Sequence, residues 1–164
     1  MKSQRAFPRT LVAEDDPLDA FLLNRAFQRA GVNEAVHFVG GGREAIDYLR
    51  GKQLSPTSAS STLPALLLLN LKMPGVSGLG VLEWIGMHLH LRPACVVVLG
   101  TSQASEEVSR ALALGADHYF LKPRDEEGMD AVLQRILLLF ELPGYSAWVK
   151  RLGTYQGQVV SQGG

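Results

Sequence analysis

Three polar segments of the sequence stand directly after runs of apolar residues, and their side chains could do chemistry. An acidic cluster contains Glu14, Asp15 and Asp16, while Asn70 and Lys122 each end a later run. Carboxylates are the oxygen ligands that Mg²⁺ prefers, and a lysine ammonium can pair with a carboxylate or a phosphoryl group. A carboxylate can also attack phosphorus, but the carboxamide of Asn70 is a far poorer nucleophile.

The elements that must position these residues alternate along the chain. Short apolar runs predict strands at Thr10–Glu14, Ala35–Val39, Ala65–Asn70, Cys95–Leu99 and His118–Lys122, and amphipathic stretches predict helices near 17–30, 42–50, 78–90, 104–114 and 126–141. Strands separated by helices form a parallel sheet with helices on both faces. Open α/β sheets keep their sites at the carboxyl edge, so the polar residues that end these strands are predicted to meet there.

Local signals mark where the helices start and stop. Asp16-Pro17 predicts an N-cap and a first helical position, because proline lacks the backbone donor that would be orphaned there. Gly31 and Gly115 are predicted to end the first and fourth helices. The predicted buried face of the first helix contains Leu18, Phe21, Leu22 and Ala26.

The composition of the chain and the distribution of its apolar and polar stretches indicate one soluble, cytoplasmic domain. The 164 residues include 16 Lys+Arg and 16 Asp+Glu, which argues against bulk attraction to nucleic acid. A single cysteine, Cys95, excludes an intramolecular disulfide, and no apolar run is long enough to span a membrane. We expect a domain over residues 9–141, a mobile Ser/Thr-rich loop at Lys52–Leu63, and a partly disordered C-terminal extension over 142–164.

Four segments in a fixed order carry a resemblance to a known family. They are Leu11–Pro17, Leu66–Gly78, Cys95–Ser102 and Ala116–Pro123. Together they resemble the receiver domain of two-component response regulators, over most of the chain. The resemblance implies an α/β, flavodoxin-like fold: a doubly wound, five-stranded parallel sheet of order 2-1-3-4-5 with helices on both faces.

The resemblance implies a role for the first two segments. Glu14 and Asp15 match the acidic pocket that holds Mg²⁺ in receivers, together with a backbone carbonyl that is here that of Lys72. Asn70 stands at the phosphoacceptor position, where receivers usually carry aspartate. Because the aspartate charge is missing, we expect no tight cofactor and at most weak Mg²⁺ binding, and we predict a protein that is stable without the cation.

The third segment departs from the family a second time. Gly100 matches the position at which receivers usually place a switch threonine or serine, and Thr101 follows one place later. Successive strand side chains face opposite ways, so Thr101 is a poor substitute unless the loop bulges. Both assignments stay open at this point.

The fourth segment supplies an aromatic residue and a lysine. Tyr119 matches an aromatic that changes rotamer on activation in receivers, although it could equally be ordinary packing at the sheet edge. Lys122 matches the lysine that contacts the phosphoryl group, and we expect it to pair with Asp15. Pro123 is a candidate for a cis peptide bond, which often precedes the proline in this family.

These matches predict a stand-alone, non-enzymatic signalling module that acts through protein–protein contacts without phosphorylation at Asn70. The expected partners are a histidine kinase, another signalling protein, or a second copy bound through the helix 4–strand 5–helix 5 face or the tail. One alternative is a conventional phosphorylation-dependent regulator with an engineered Asp-to-Asn change, against which Gly100 counts. A third reading, a flavodoxin-like enzyme or cofactor binder, would place a phosphate group beside the acidic cluster, which would repel it.

Overall fold

The computed structural model describes residues 9–32, 35–51, 63–141 and 159–160. The strands are β1 (Thr10–Ala13), β2 (Val36–Val39), β3 (Leu66–Asn70), β4 (Cys95–Gly100), β5 (His118–Leu121) and β6 (Val159–Val160). The helices are α1 (Pro17–Arg29), α2 (Gly42–Gly51), α3 (Gly78–Met87), α4 (Ser105–Ala113) and α5 (Glu126–Glu141), with a 3₁₀ turn at Leu89–Leu91. Within these ranges, no helix has both the length and the apolar character needed to cross a membrane.

The sheet has the order β2-β1-β3-β4-β5-β6, and all of its strand pairs are parallel. The predicted order 2-1-3-4-5 is therefore confirmed for the first five strands. A sixth strand was not predicted: Val159 and Val160 pair with Tyr119 and Phe120 of β5. The other residues of the predicted extension lie outside the described part, as do 52–62 of the predicted loop.

Two apolar layers pack on opposite faces of the sheet, as alternating side chains require. On one face, Leu67 and Val96 pack with residues of α2, α3 and α4. On the other face, Leu68 and Val97 pack with residues of α1 and α5. Because β3 and β4 are covered on both faces, they are continuous apolar runs.

Helix α1 begins where it was predicted to begin, but only part of its predicted buried face is buried. Asp16 caps it by accepting hydrogen bonds from the backbone N–H groups of the second and third helical residues, at 2.8 and 3.0 Å. Leu18 and Phe21 are exposed, at 63% and 55%, whereas Leu22, Leu23, Ala26 and Phe27 are buried. The prediction was wrong for Leu18 and Phe21, because the packed face of α1 begins at Leu22 and Leu23.

The predicted helix ends at two glycines are confirmed. Gly31 and Gly115 have φ values of 72° and 106°, which side-chain-bearing residues rarely adopt. Each comes two residues after the last residue of its helix, α1 or α4. The left-handed backbone at each position turns the chain toward the next element.

Candidate functional site

The acidic cluster begins where β1 ends. The backbone N–H of Glu14 still donates to the Val39 carbonyl at 3.1 Å, so Glu14 continues the sheet geometry by one residue. Its side chain is 1% exposed, whereas Asp15 is partly buried and Asp16 is exposed. The three neighbouring carboxylates therefore lie in three different environments, and only Asp16 serves as a helix cap.

Asn70 joins β3 to this cluster through its side-chain amide. Its Nδ2 donates to Glu14 Oε1 at 3.0 Å, to Asp15 Oδ1 at 3.0 Å and to the Lys72 carbonyl at 3.2 Å. Asn70 is 6% exposed, so these bonds replace water on a buried polar group. The structure thus brings the predicted acidic pair, Glu14 and Asp15, together with Asn70 and the Lys72 carbonyl.

The loop after β3 keeps Asn70 in place. Gly75, which follows Pro74, has a φ of 74°, and the Ser77 hydroxyl accepts from the Gly80 N–H at 3.2 Å to cap α3. Gly78 opens α3 so close to the Asn70 backbone carbonyl that a Cβ at Gly78 would overlap it. The small residue lets the loop turn back tightly onto the end of β3.

Lys122 neutralises the other side of the pocket. Its Nζ donates to Glu14 Oε2 at 2.7 Å and to Asp19 Oδ2 at 2.9 Å, and its side chain is 5% exposed. The predicted pair with Asp15 was wrong, because the fully buried Glu14 carboxylate needs a cation more than a partly exposed one does. Asp19 was not predicted as a site residue. Its position in the first turn of α1, three residues after the N-cap, was the sequence feature that could have indicated this role.

Burial and pairing act on both members of the Glu14–Lys122 ion pair. Burial raises the pKa of Glu14, and the hydrogen bond and charge of Lys122 act in the opposite direction. Burial would lower the pKa of Lys122, but hydrogen bonds to Glu14 and Asp19 outweigh it, so the pKa is raised. Lys122 therefore stays protonated throughout the neutral range, and a positive charge is a fixed part of the pocket.

Strands β4 and β5 contribute packing at the position where a hydroxyl was expected. The side chain of Tyr119 is fully buried and fills the space beside Gly100, so that a Cβ at Gly100 would overlap the phenol oxygen. The phenol oxygen lies 2.7 Å from the Ser102 carbonyl and 3.0 Å from Glu107 Oε1, so its single O–H can donate to either of them. Burial and then the Glu107 carboxylate raise the pKa of Tyr119, so it remains a neutral donor.

Three predictions concerning this region can be compared with the structure. Gly100 is the last residue of β4 and lies in register with Leu121, whereas Thr101 lies beyond the strand and is exposed.

The described residues contain no cis peptide bond, so the cis prediction at Pro123 was wrong. The trans form is favoured in most X–Pro bonds. Glu107 was not predicted, although its position in the first turn of α4 was visible in the sequence.

The fold, with its polar residues gathered at the carboxyl edge of the sheet, is that of a receiver domain. The chain belongs to the response regulator receiver domain family, whose family model matches residues 10–134. Members of this family act in two-component signalling, generally without an enzymatic activity of their own, and they contact histidine kinases and other signalling proteins. The family assignment favours the receiver interpretation over a flavodoxin-like enzyme or cofactor binder.

Individual relatives agree with the family assignment. The probable methanogenesis regulatory protein FilR2 of Methanothrix harundinacea (strain 6Ac) is 33% identical over 77% of this chain and 79% of FilR2. The phosphorylated cyanobacterial phytochrome response regulator RcpA matches with a TM-score of 0.71 and 26% identity, over 83% of this chain and 95% of RcpA. The Mn²⁺-bound response regulator Rcp1 matches with a TM-score of 0.65 and 25% identity, over 83% and 95% of the two chains.

Receiver domains bind Mg²⁺ or Mn²⁺ at their acidic site, which allows the residues present here to be tested for fit. The candidate ligand oxygens belong to Glu14, Asp15 and the Lys72 backbone. The Asn70 Nδ2 already lies 3.0–3.2 Å from all three, at ordinary N–H···O distances. Mg²⁺ holds oxygen at about 2.0–2.1 Å. With the amide in this position, the arrangement does not fit a divalent cation.

Proposed function

We propose that this chain is a receiver module of a two-component or phosphorelay system that signals through protein–protein contacts, without phosphorylation at position 70. The observation that carries the proposal is the carboxamide of Asn70 at the end of β3, with its amide bound to Glu14, Asp15 and the Lys72 carbonyl. A carboxamide in this position offers no carboxylate oxygen to attack phosphorus.

The surroundings of Gly100 support the same proposal. Gly100 carries no hydroxyl, and the phenol of Tyr119 takes the space that a side chain there would need. The phenol is placed to donate its one hydrogen to the Ser102 carbonyl or to Glu107 of α4, and both acceptors lie within 3.0 Å of it. The β4–α4 loop and the start of α4 are thereby tied to β5 whether or not a phosphoryl group is present.

The contact surface is proposed to be the face formed by α4, β5 and α5, and β6, which pairs along β5, would be part of it. Because Tyr119 links β5 to Glu107 of α4, this face presents one arrangement to a partner. The partner would be a histidine kinase, another signalling protein or a second copy of the chain. Light scattering of the full chain, compared with a version ending at Glu141, separates a dimer made through this face from one made through the tail.

Intact-mass spectrometry after incubation with Mg²⁺ and a small phosphodonor tests the proposal. We expect no added phosphoryl mass on the natural chain and one on Asn70→Asp, because only the variant has a nucleophilic carboxylate at that position. Asn24→Asp is the matched control, since Asn24 is exposed on α1 and the substitution makes the same change outside the pocket.

Two results would overturn the proposal. A phosphoryl group on the natural chain would show that another residue accepts it, and peptide mapping would locate that residue. A signalling output that requires the phosphodonor would show that the module is phosphorylation-dependent. Partner binding that is the same with and without phosphodonor is the supporting result.

A further inference from the structure

Three oxygens from two separate segments of the chain converge on one nitrogen. They are Glu14 Oε1, Asp15 Oδ1 and the Lys72 carbonyl oxygen, and the nitrogen is Asn70 Nδ2. We infer that the carboxamide of Asn70 permanently replaces the divalent cation of the acidic pocket, so that this chain holds its pocket together without metal. The inference rests on the proposed function only in treating position 70 as unable to accept a phosphoryl group.

The amide performs the electrostatic task that a cation would otherwise perform. Glu14 and Asp15 are adjacent carboxylates that repel each other unless a positive group lies between them. The amide offers two N–H donors, and the two carboxylate oxygens accept at 3.0 Å. Lys122 supplies a full positive charge to the remaining oxygen of Glu14 at 2.7 Å. Both carboxylates are thus compensated by groups of the protein itself.

A cation could enter only at the expense of this network. It would have to displace the Asn70 amide, whose two N–H groups serve all three oxygens, and lie on the same Glu14 carboxylate that already binds the Lys122 ammonium. An aspartate at position 70 reverses this balance, because it removes the donor and adds a negative charge to those of Glu14, Asp15 and Asp19. Oxygen ligands and excess negative charge are what a hard divalent cation requires.

Mn²⁺ titration of the full-length chain, followed by the paramagnetic resonance signal of free Mn²⁺, tests the inference. We expect no saturable binding to the natural chain and affinity at least about tenfold higher for Asn70→Asp. Asn24→Asp should behave as the natural chain does. Equal binding by the natural chain and Asn70→Asp would overturn the inference. This readout involves no phosphoryl transfer, so its failure is distinguishable from failure of the proposed function.

A second variant tests the replacement without adding a charge. Asn70→Ala removes the amide and leaves the two carboxylates uncompensated, so its melting temperature in chelator should fall below that of the natural chain. Millimolar Mn²⁺ should raise the melting temperature of Asn70→Ala and leave that of the natural chain unchanged. The exposed substitution Asn24→Ala should show neither effect. An Asn70→Ala protein that is as stable as the natural chain and indifferent to Mn²⁺ would overturn the inference.

Discussion

The carboxyl edge of the sheet has two halves, and each is stabilised by a different kind of interaction. The acidic half contains Glu14, Asp15, Asn70 and Lys122 and is held by hydrogen bonds between charged and polar groups. The tyrosine half contains Gly100, Ser102, Glu107 and Tyr119 and is held mainly by the fit of an aromatic ring into the space beside a glycine. In the acidic half, groups of the protein balance the charges of the carboxylates. In the tyrosine half, the Tyr119 ring fills the available space.

This difference teaches which kind of change each half should tolerate. A buried charge is expensive when its partner is removed, because the charge left behind cannot be hydrated. A close-packed ring is disturbed instead when atoms are added next to it. Removing atoms from the acidic half should therefore lower the stability of the protein most. In the tyrosine half, adding atoms should be the more damaging change.

The largest effect is expected in the acidic half, from Lys122→Met. The substitution keeps an unbranched side chain, one heavy atom shorter, but leaves the buried Glu14 carboxylate without its cation. We expect the free energy of unfolding to fall by about 3–5 kcal/mol, measured by urea denaturation. Lys72→Met is the control, because Lys72 is exposed in the β3–α3 loop. Equal, small losses for both variants would remove the electrostatic account of this half.

A smaller effect is expected in the tyrosine half, from Gly100→Ala. The added methyl group overlaps the Tyr119 phenol, so the ring must leave its place, at a cost of about 1–3 kcal/mol. Nitration followed by peptide mass mapping should find Tyr119 protected in the natural chain and modified in the variant.

Gly86→Ala is the matched control for this experiment. A Cβ at Gly86 meets nothing within 4 Å, and alanine favours the α3 helix in which it lies. Gly86→Ala should therefore leave Tyr119 protected and stability unchanged or slightly higher. A Gly100→Ala protein whose Tyr119 stays protected would mean that the ring does not depend on the missing side chain.

The smallest effect concerns His118 in β5, next to Tyr119. Burial lowers the pKa of His118 below its usual 6.5, and the charge of Asp117 opposes this only in part. The unfolded chain therefore binds the proton more readily, and the stability that His118 contributes above pH 6.5 is lost as the pH falls. The slope from this single group cannot exceed about 1.4 kcal/mol per pH unit.

Melting temperatures between pH 7.5 and 5.5 check this expectation, a range chosen because it spans the ordinary histidine pKa of about 6.5. The decline toward low pH should be shallower in His118→Gln than in the natural chain. His90→Gln is the control, because His90 is exposed after α3. A decline of the same steepness in all three proteins would assign the pH dependence to other groups.

Much of the fold was predictable because its signals are local. Asp16 before Pro17 marks the start of α1, and Gly31 and Gly115 mark the ends of two helices, through backbone preferences that need no distant partner. The apolar runs of β3 and β4 predict buried parallel strands for the same reason. The exposed face of Leu18 and Phe21 was missed because periodicity does not say how far a helix extends past the sheet.

The candidate site was predictable only in part. The sequence placed Glu14, Asp15, Asn70 and Lys122 at strand ends, and parallel topology brings such ends together. It did not predict that Lys122 pairs with Asp19, or that Glu107 binds Tyr119. Both contacts join residues more than ten positions apart, and their geometry depends on how α1 and α4 pack on the sheet.

The sequence by itself determined which chemistry the chain lacks and which elements carry the polar residues. A carboxamide at position 70 and a glycine at position 100 are covalent facts, and no packing can supply the missing carboxylate or hydroxyl. Only the tertiary structure decided how the two gaps are filled, because hydrogen bonding and close packing act between atoms that the fold brings within reach. The Asn70 amide came to lie among three oxygens, and the Tyr119 ring came to lie against Gly100.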